Sequence, residues 1–200
     1  PKSSIFMGLE VEESWFEESY LQLKKLIEEK RDFIVGIGET GMDFFHNREL
    51  DNATREKINF LQDKLFDLHI SLAKECNLPL TIHSRFAEKE CLSKIERSGT
   101  RGIFHSYTGD HYTARGILDA GWGLGVNGIV TFKNAAEIKE LYRKILGRIP
   151  DEVDPEYFYS RGIYFETDSP YLSPDGKRGE RNEPANVRDI YEAFVELLKI

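Results

Sequence analysis

The chain has 200 residues, 40% of them hydrophobic, enough to bury one substantial core within the ordinary size of a single domain. No apolar run approaches the roughly 20 residues needed to cross a bilayer, and residues 1–11 lack the basic stretch and apolar segment of a secretion signal, so neither a membrane-embedded nor a secreted protein is expected. The net charge of −8 argues against a nonspecific nucleic-acid coat built from clustered Lys and Arg, while leaving room for phosphate chemistry carried by divalent cations.

Short β-rich runs alternate with longer stretches of helical period, the pattern of βα units and a parallel sheet. Strands are predicted over residues 5–9, 33–38, 80–83, 102–105, 122–126 and 163–166. Between them, Ile58, Leu61, Leu65, Leu68 and Leu72 recur at three- and four-residue steps, as do Ile138, Leu141 and Ile145. Gly121 and Gly147 each close a helical segment where a C-cap glycine would serve. Residues 147–161 form an acidic irregular approach to the last strand, and residues 169–184, with Pro170, Pro174, Gly176, Gly179 and Pro184, describe a loop. Cys76 and Cys91 fall in helix-like stretches without the spacing of a disulfide framework or zinc cluster, which points to a reduced intracellular compartment, cytoplasmic or nuclear.

Length alone leaves a doubly wound sheet and an incomplete eight-unit barrel both open. The polar residues are more informative, because Glu39, His83, His105 and Asp168 each fall at or just past the end of a predicted strand, where barrel enzymes hold their catalytic groups. Taken singly, each has a commoner plain reading as a satisfied polar group at a strand end. Two histidines and two acids so placed make that coincidence a poor explanation. Such a set suits zinc, manganese or magnesium better than copper or an iron–sulfur cluster. A carboxylate such as Glu39 can bridge two ions, two ions about 4 Å apart can activate a shared water, and Asp168 can accept its proton. His69, inside the long helical stretch, is expected to be a packing or surface residue. His46 and His111 are expected on loops, within reach of substrate but more plainly solvated.

The motifs Gly38-Glu39-Thr40-Gly41-Met42-Asp43, Ile82-His83-Ser84-Arg85, His105-Ser106-Tyr107-Thr108-Gly109, Glu166-Thr167-Asp168-Ser169-Pro170 and Arg181-Asn182-Glu183-Pro184 follow one another in register. Together they closely resemble the signatures of the TatD family of metal-dependent deoxyribonucleases, over nearly the whole chain from about Gly8 to Val187. The resemblance implies an α/β fold of the (β/α)8 TIM-barrel type, a site for two divalent ions, and hydrolysis of phosphodiester bonds in DNA or RNA, often from an end. It implies that Glu39 is the bridging carboxylate, that His83 and His105 are ligands, and that Asp168 is both the last ligand and the base. Arg85 and Arg181 would lie at the mouth and grip a phosphate, although an exposed salt bridge is an equally good role for Arg181.

The chain also departs from that pattern. No His-x-His pair occurs, and the sequence opens at what corresponds to the family's third strand, so residues 1–200 are expected to form a single incomplete barrel domain lacking its first two strands. At Gly8-Leu9-Glu10-Val11 the family commonly has a histidine and proline after the glycine. Two other functional readings stay open: an amidohydrolase-type enzyme acting on amides or lactones, and a non-catalytic scaffold with a degraded metal site.

Overall fold

The computed structural model describes residues 13–199, and the strand expected at residues 5–9 lies outside them. Five parallel strands alternate with helices along the chain. Contacts divide the chain into two units, Pro1–Gly102 and Ile103–Ile200.

The first unit runs α1 (Glu13–Glu29), β1 (Ile37–Asp43), α2 (Asn52–Cys76), β2 (Leu80–Arg85) and α3 (Glu88–Ile95). α2 is the long helix that the leucine spacing predicts, and its ends are local chemistry. The Asp51 side chain accepts from the Thr54 N–H at 3.0 Å, and Asn77 closes the helix in the left-handed region at φ 51°. α1 packs on α2, with the Tyr20 hydroxyl and the Lys24 ammonium both on Glu75. Phe66, Leu72, Leu80, Ile82, Cys91 and Ile95 form a buried core.

The strand predicted at residues 33–38 is corrected by the structure. Phe33 and Val35 are each 84% exposed, and the Phe33 and Ile34 amides donate back to the Lys30 carbonyl, so the apolar run is the turn that leaves α1. Hydrophobicity alone misplaced this strand. Pairing starts at Ile37, whose amide meets the Pro79 carbonyl, and continues through Asp43. Glu39 is therefore the third residue of a seven-residue strand, not a residue at its end, and His83 is likewise inside β2.

The second unit runs β3 (Gly102–His105), α4 (His111–Asp119), β4 (Gly123–Val126), α5 (Ala136–Leu146), α6 (Pro155–Tyr159), β5 (Ile163–Phe165) and α7 (Val187–Lys199). β4 lies between β3 and β5, with Phe104 opposite Leu124 and Gly125 opposite Tyr164. Asp110 caps α4 through the Tyr112 and Thr113 amides, which puts His111 on the first helical turn and not in the expected loop. α6 sits inside the stretch expected to be irregular. Asp154 caps it through the Tyr157 amide, and Pro155 occupies its first turn. An aromatic core holds α6, β5 and α7 together: Phe158 meets Phe165, Phe194 and Tyr191 edge-on at 5.4, 5.5 and 6.1 Å. Among the described residues no helix is long and apolar enough to cross a membrane.

Candidate active site

In the first unit a β-bulge positions the acids. The β1–β2 register runs Gly38 to Thr81 and then Thr40 to Ile82, so Glu39 is the extra residue of β1. Before the bulge Ile37 faces the core, and after it Thr40 and Met42 do. Alternation then sends Glu39, Gly41 and Asp43 to the opposite face. His83 pairs with Gly41 and stands between the two acids: its Nδ1 is 2.7 Å from Glu39 Oε1 and its Nε2 is 3.2 Å from Asp43 Oδ2. The close approach requires glycine. A Cβ on Gly41, whose φ is +134°, would lie 2.1 Å from the His83 carbonyl oxygen.

The two carboxylates around His83 differ in exposure. Asp43 Oδ1 accepts the Phe45 amide at 2.8 Å, and Gln62 of α2 clamps the Asp43 backbone, accepting its N–H at 2.6 Å and donating to its carbonyl at 3.2 Å. The Asp43 side chain is 22% exposed against 46% for Glu39. Hydrogen bonding to Glu39, aided by Asp43, raises the His83 pKa above the ordinary histidine value against the opposing effect of burial.

The second unit repeats this arrangement with different elements. His105 ends β3, and Glu166 and Asp168 follow β5 at a spacing of two, with Asp168 at φ 57°. His105 Nδ1 is 2.9 Å from Glu166 Oε2, and His105 Nε2 is 3.4 Å from Asp168 Oδ1. Glu166 is the anchored acid here, since its Oε1 also accepts the Ser106 amide at 2.5 Å. In both units, then, a fixed carboxylate orients one ring nitrogen, and the other nitrogen faces a second acid, Glu39 or Asp168. This is the arrangement in which a histidine ligand is held by an outer carboxylate while its second nitrogen takes a metal.

The donor set can be tested against a divalent ion on these distances. Two donors about 2.0–2.1 Å from one tetrahedral zinc stand roughly 3.3 Å apart, and His105 Nε2 and Asp168 Oδ1 stand 3.4 Å apart. His83 Nδ1 and Glu39 share a hydrogen bond whose proton a cation would replace. Among the described residues no three His, Cys, Asp or Glu side chains form a ready metal cage. Each unit offers one imidazole nitrogen and one carboxylate, a borderline-to-hard pair that fits zinc, manganese or magnesium.

The remaining expected residues fall as follows. Arg85 extends from the end of β2 on the same face as His83, exposed, with its guanidinium 3.7 Å from the Phe45 ring centroid. Arg181 is exposed and makes no ion pair among the described residues; its neighbour Asn182, 2% exposed, organises the loop instead. The Asn182 amide group donates to the Thr167 and Tyr171 carbonyls at 2.7 and 2.6 Å, and its oxygen accepts from the Glu183 amide and the Asn186 side chain. Those bonds brace the segment that carries Asp168. His46 is exposed beside Asp43, and His69 is half-buried in α2 against the Leu65 carbonyl and the Thr40 hydroxyl.

Sequence reasoning missed Asp43, Glu166 and Asn182. All three stand inside recognised motifs, and the available signal was spacing: Glu39 and Asp43 four apart on a strand share a face, and Glu166 and Asp168 are two apart.

The chain is similar to known proteins in sequence and in fold. The family model described as "TatD related DNase" matches residues 5–200. A metal-dependent hydrolase of Buchnera aphidicola is 33% identical over 170 residues, covering 83% of this chain and 56% of that protein. A metal-dependent hydrolase of Bacillus subtilis is 33% identical over 184 residues, covering 90% of this chain and 63% of that protein. This chain thus spans 56% to 63% of the length of these two relatives. Among solved structures, a TatD homolog from Escherichia coli K12 superposes with a TM-score of 0.73 at 24% identity, covering 90% of this chain and 62% of that one. The likeness carries the fold: the α/β class of TatD-type TIM barrels, five of whose parallel strands lie among the described residues.

Proposed function

The chain belongs to the TatD related DNase family, and from that premise we propose that it hydrolyses phosphodiester bonds of DNA with two divalent cations, zinc, manganese or magnesium, held by Glu39, His83, His105 and Asp168. The observation that carries the reading is the pair of imidazoles, each fixed on one nitrogen by an anchored acid and turned by the other toward Glu39 or Asp168. The names of the relatives, metal-dependent hydrolases, support the same chemistry.

The cations supply charge for the phosphate and a lowered pKa for water when bound. Asp43 and Glu166 hold His83 and His105 in one orientation and one tautomer, so neither ring has to reorganise during turnover. Asp168 takes the proton of the attacking water on a carboxylate oxygen, which its left-handed backbone and the Asn182 brace hold in place. Arg85 and Arg181 bind the phosphate oxygens with paired N–H donors. Glu39 would hold a cation together with His83. The substrate is DNA, with RNA as a related polymer, cut from an end.

The test is Asp168→Asn in the full chain, assayed with manganese on a labelled single-stranded oligonucleotide. Hydrolysis should fall at least about 1,000-fold, within the range removed with a catalytic base and ligand, while circular dichroism and thermal unfolding stay within error of the parent. An undiminished rate excludes Asp168 as base, and cleavage of amide or lactone substrates in place of the oligonucleotide excludes the phosphodiester assignment.

A further inference from the structure

The first unit carries an aromatic and cationic cluster beside His83 of which the proposed hydrolytic chemistry uses Arg85 alone. The loop after β1 contributes Phe45 and Arg48, and the end of β2 contributes Arg85 and Phe86. The two phenyl rings are 5.6 Å apart and tilted by 35°. The Arg85 and Arg48 guanidinium carbons lie 3.7 and 3.9 Å from the Phe45 centroid, and Arg48 is 6.0 Å from that of Phe86. Both guanidiniums are exposed, and neither makes an ion pair among the described residues.

Phe86 is the informative residue. It is 61% exposed at φ 58°, a left-handed conformation that a bulky side chain rarely adopts. Its backbone is held there by the Glu88 carboxylate, which accepts the Phe86 N–H at 3.3 Å. Its contact with the Phe45 ring still leaves Phe86 largely exposed. A flat apolar face flanked by two cations that make no ion pair among the described residues complements a polyanion with unpaired planar rings. Bases inside a duplex are already stacked and offer no face to it.

We propose that Phe86, with Phe45, Arg48 and Arg85, forms a subsite for single-stranded nucleic acid, Phe86 stacking on an unpaired base while Arg48 and Arg85 take the adjoining phosphates. This deepens the phosphodiester reading and rests on it. The subsite makes the enzyme select frayed or single strands over duplex.

The test measures fluorescence anisotropy of the full chain with 5′-labelled (dT)10 and with a 10-base-pair duplex, in EDTA so that no strand is cut. Phe86→Ala should weaken (dT)10 binding about tenfold, as loss of one base–aromatic stack does, and change duplex binding less than about twofold. Phe86→Trp should bind (dT)10 as tightly as the parent, which separates stacking from a folding defect. Arg48→Ala should weaken both ligands and reduce the log Kd against log salt slope for (dT)10 by about 0.7, the value for one phosphate on a single strand. A parent that cleaves the oligonucleotide while Phe86→Ala binds it unchanged overturns the subsite and leaves the phosphodiester reading standing. A parent that neither binds nor cleaves it overturns both. Displacement of (dT)10 by a poly-aspartate peptide of matched length as effective as by unlabelled (dT)10 also overturns the subsite, since charge alone would then account for binding.

Discussion

Gly125→Ala probes the anchored acid of the second unit through a position that touches no substrate. Gly125 lies in the wholly buried strand β4, and its φ is not left-handed, so the alanine backbone itself is unstrained. Its new Cβ would stand 2.4 Å from Glu166 Oε1 and 2.6 Å from Glu166 Cδ, closer than real contacts come. The carboxylate must therefore withdraw, and the Ser106 amide and His105 Nδ1 lose their partner. Hydrogen bonds to a charged group contribute about 1.5–3 kcal/mol each. With one of the two partly recovered in a shifted rotamer, the loss is about 2–4 kcal/mol, offset by about 0.4–1 kcal/mol because alanine narrows the unfolded ensemble. In a Glu166→Ala background there is no carboxylate to displace, so only the unfolded-state effect remains and Gly125→Ala should stabilise by about 0.4–1 kcal/mol. Urea denaturation of the four proteins of this cycle should give a coupling energy of about 2–4 kcal/mol between the sites, the hydrogen-bond loss itself. Equal costs of Gly125→Ala in both backgrounds would refute the argument that this glycine is needed to seat Glu166.

Two further outcomes follow from the core of each unit. Burial lowers the His69 pKa, so the unfolded chain takes up a proton there before the folded one does. The stability tied to His69 is complete above about pH 6.5, the unfolded value, and is lost as pH falls toward the lower folded value. The urea midpoint should accordingly drop more steeply between pH 7 and 5 in the parent than in His69→Asn, and parallel slopes would count against it. Phe158, fully buried among Phe165, Tyr191 and Phe194, should cost about 3–5 kcal/mol on replacement by alanine, measured by urea unfolding. A cost under about 1 kcal/mol would mean that the aromatic cluster does not hold α6 to α7.

What could be read from the chain alone depended on how local the signal was. α2 and α5 were legible because helical period, and for α5 the closing Gly147, lie within a few residues of what they control. α1 was not, because several of its apolar residues remain on the surface, Trp15 and Leu26 at 48% exposure and Leu21 at 63%, which blurs the period. The run at 33–38 misled for the complementary reason, an apolar segment that is exposed. At the candidate site Glu39, His83, His105 and Asp168 stood out by residue type and motif. The acids that fix the imidazoles did not. Choosing Asp43 for His83 needs the bulge at Glu39, and choosing Glu166 for His105 needs the pairing of β3, β4 and β5, both products of tertiary pairing.

The bulge in β1 acts as a phase shift along the strand. Ile37 enters and Met42 leaves pointing to the same side although an odd number of steps separates them. In strict alternation the same residues would turn Asp43 inward with Ile37, an acid in the hydrophobic layer, and leave Met42 on the polar side. One residue out of step is what lets a single strand serve an oily interior and a polar surface in turn.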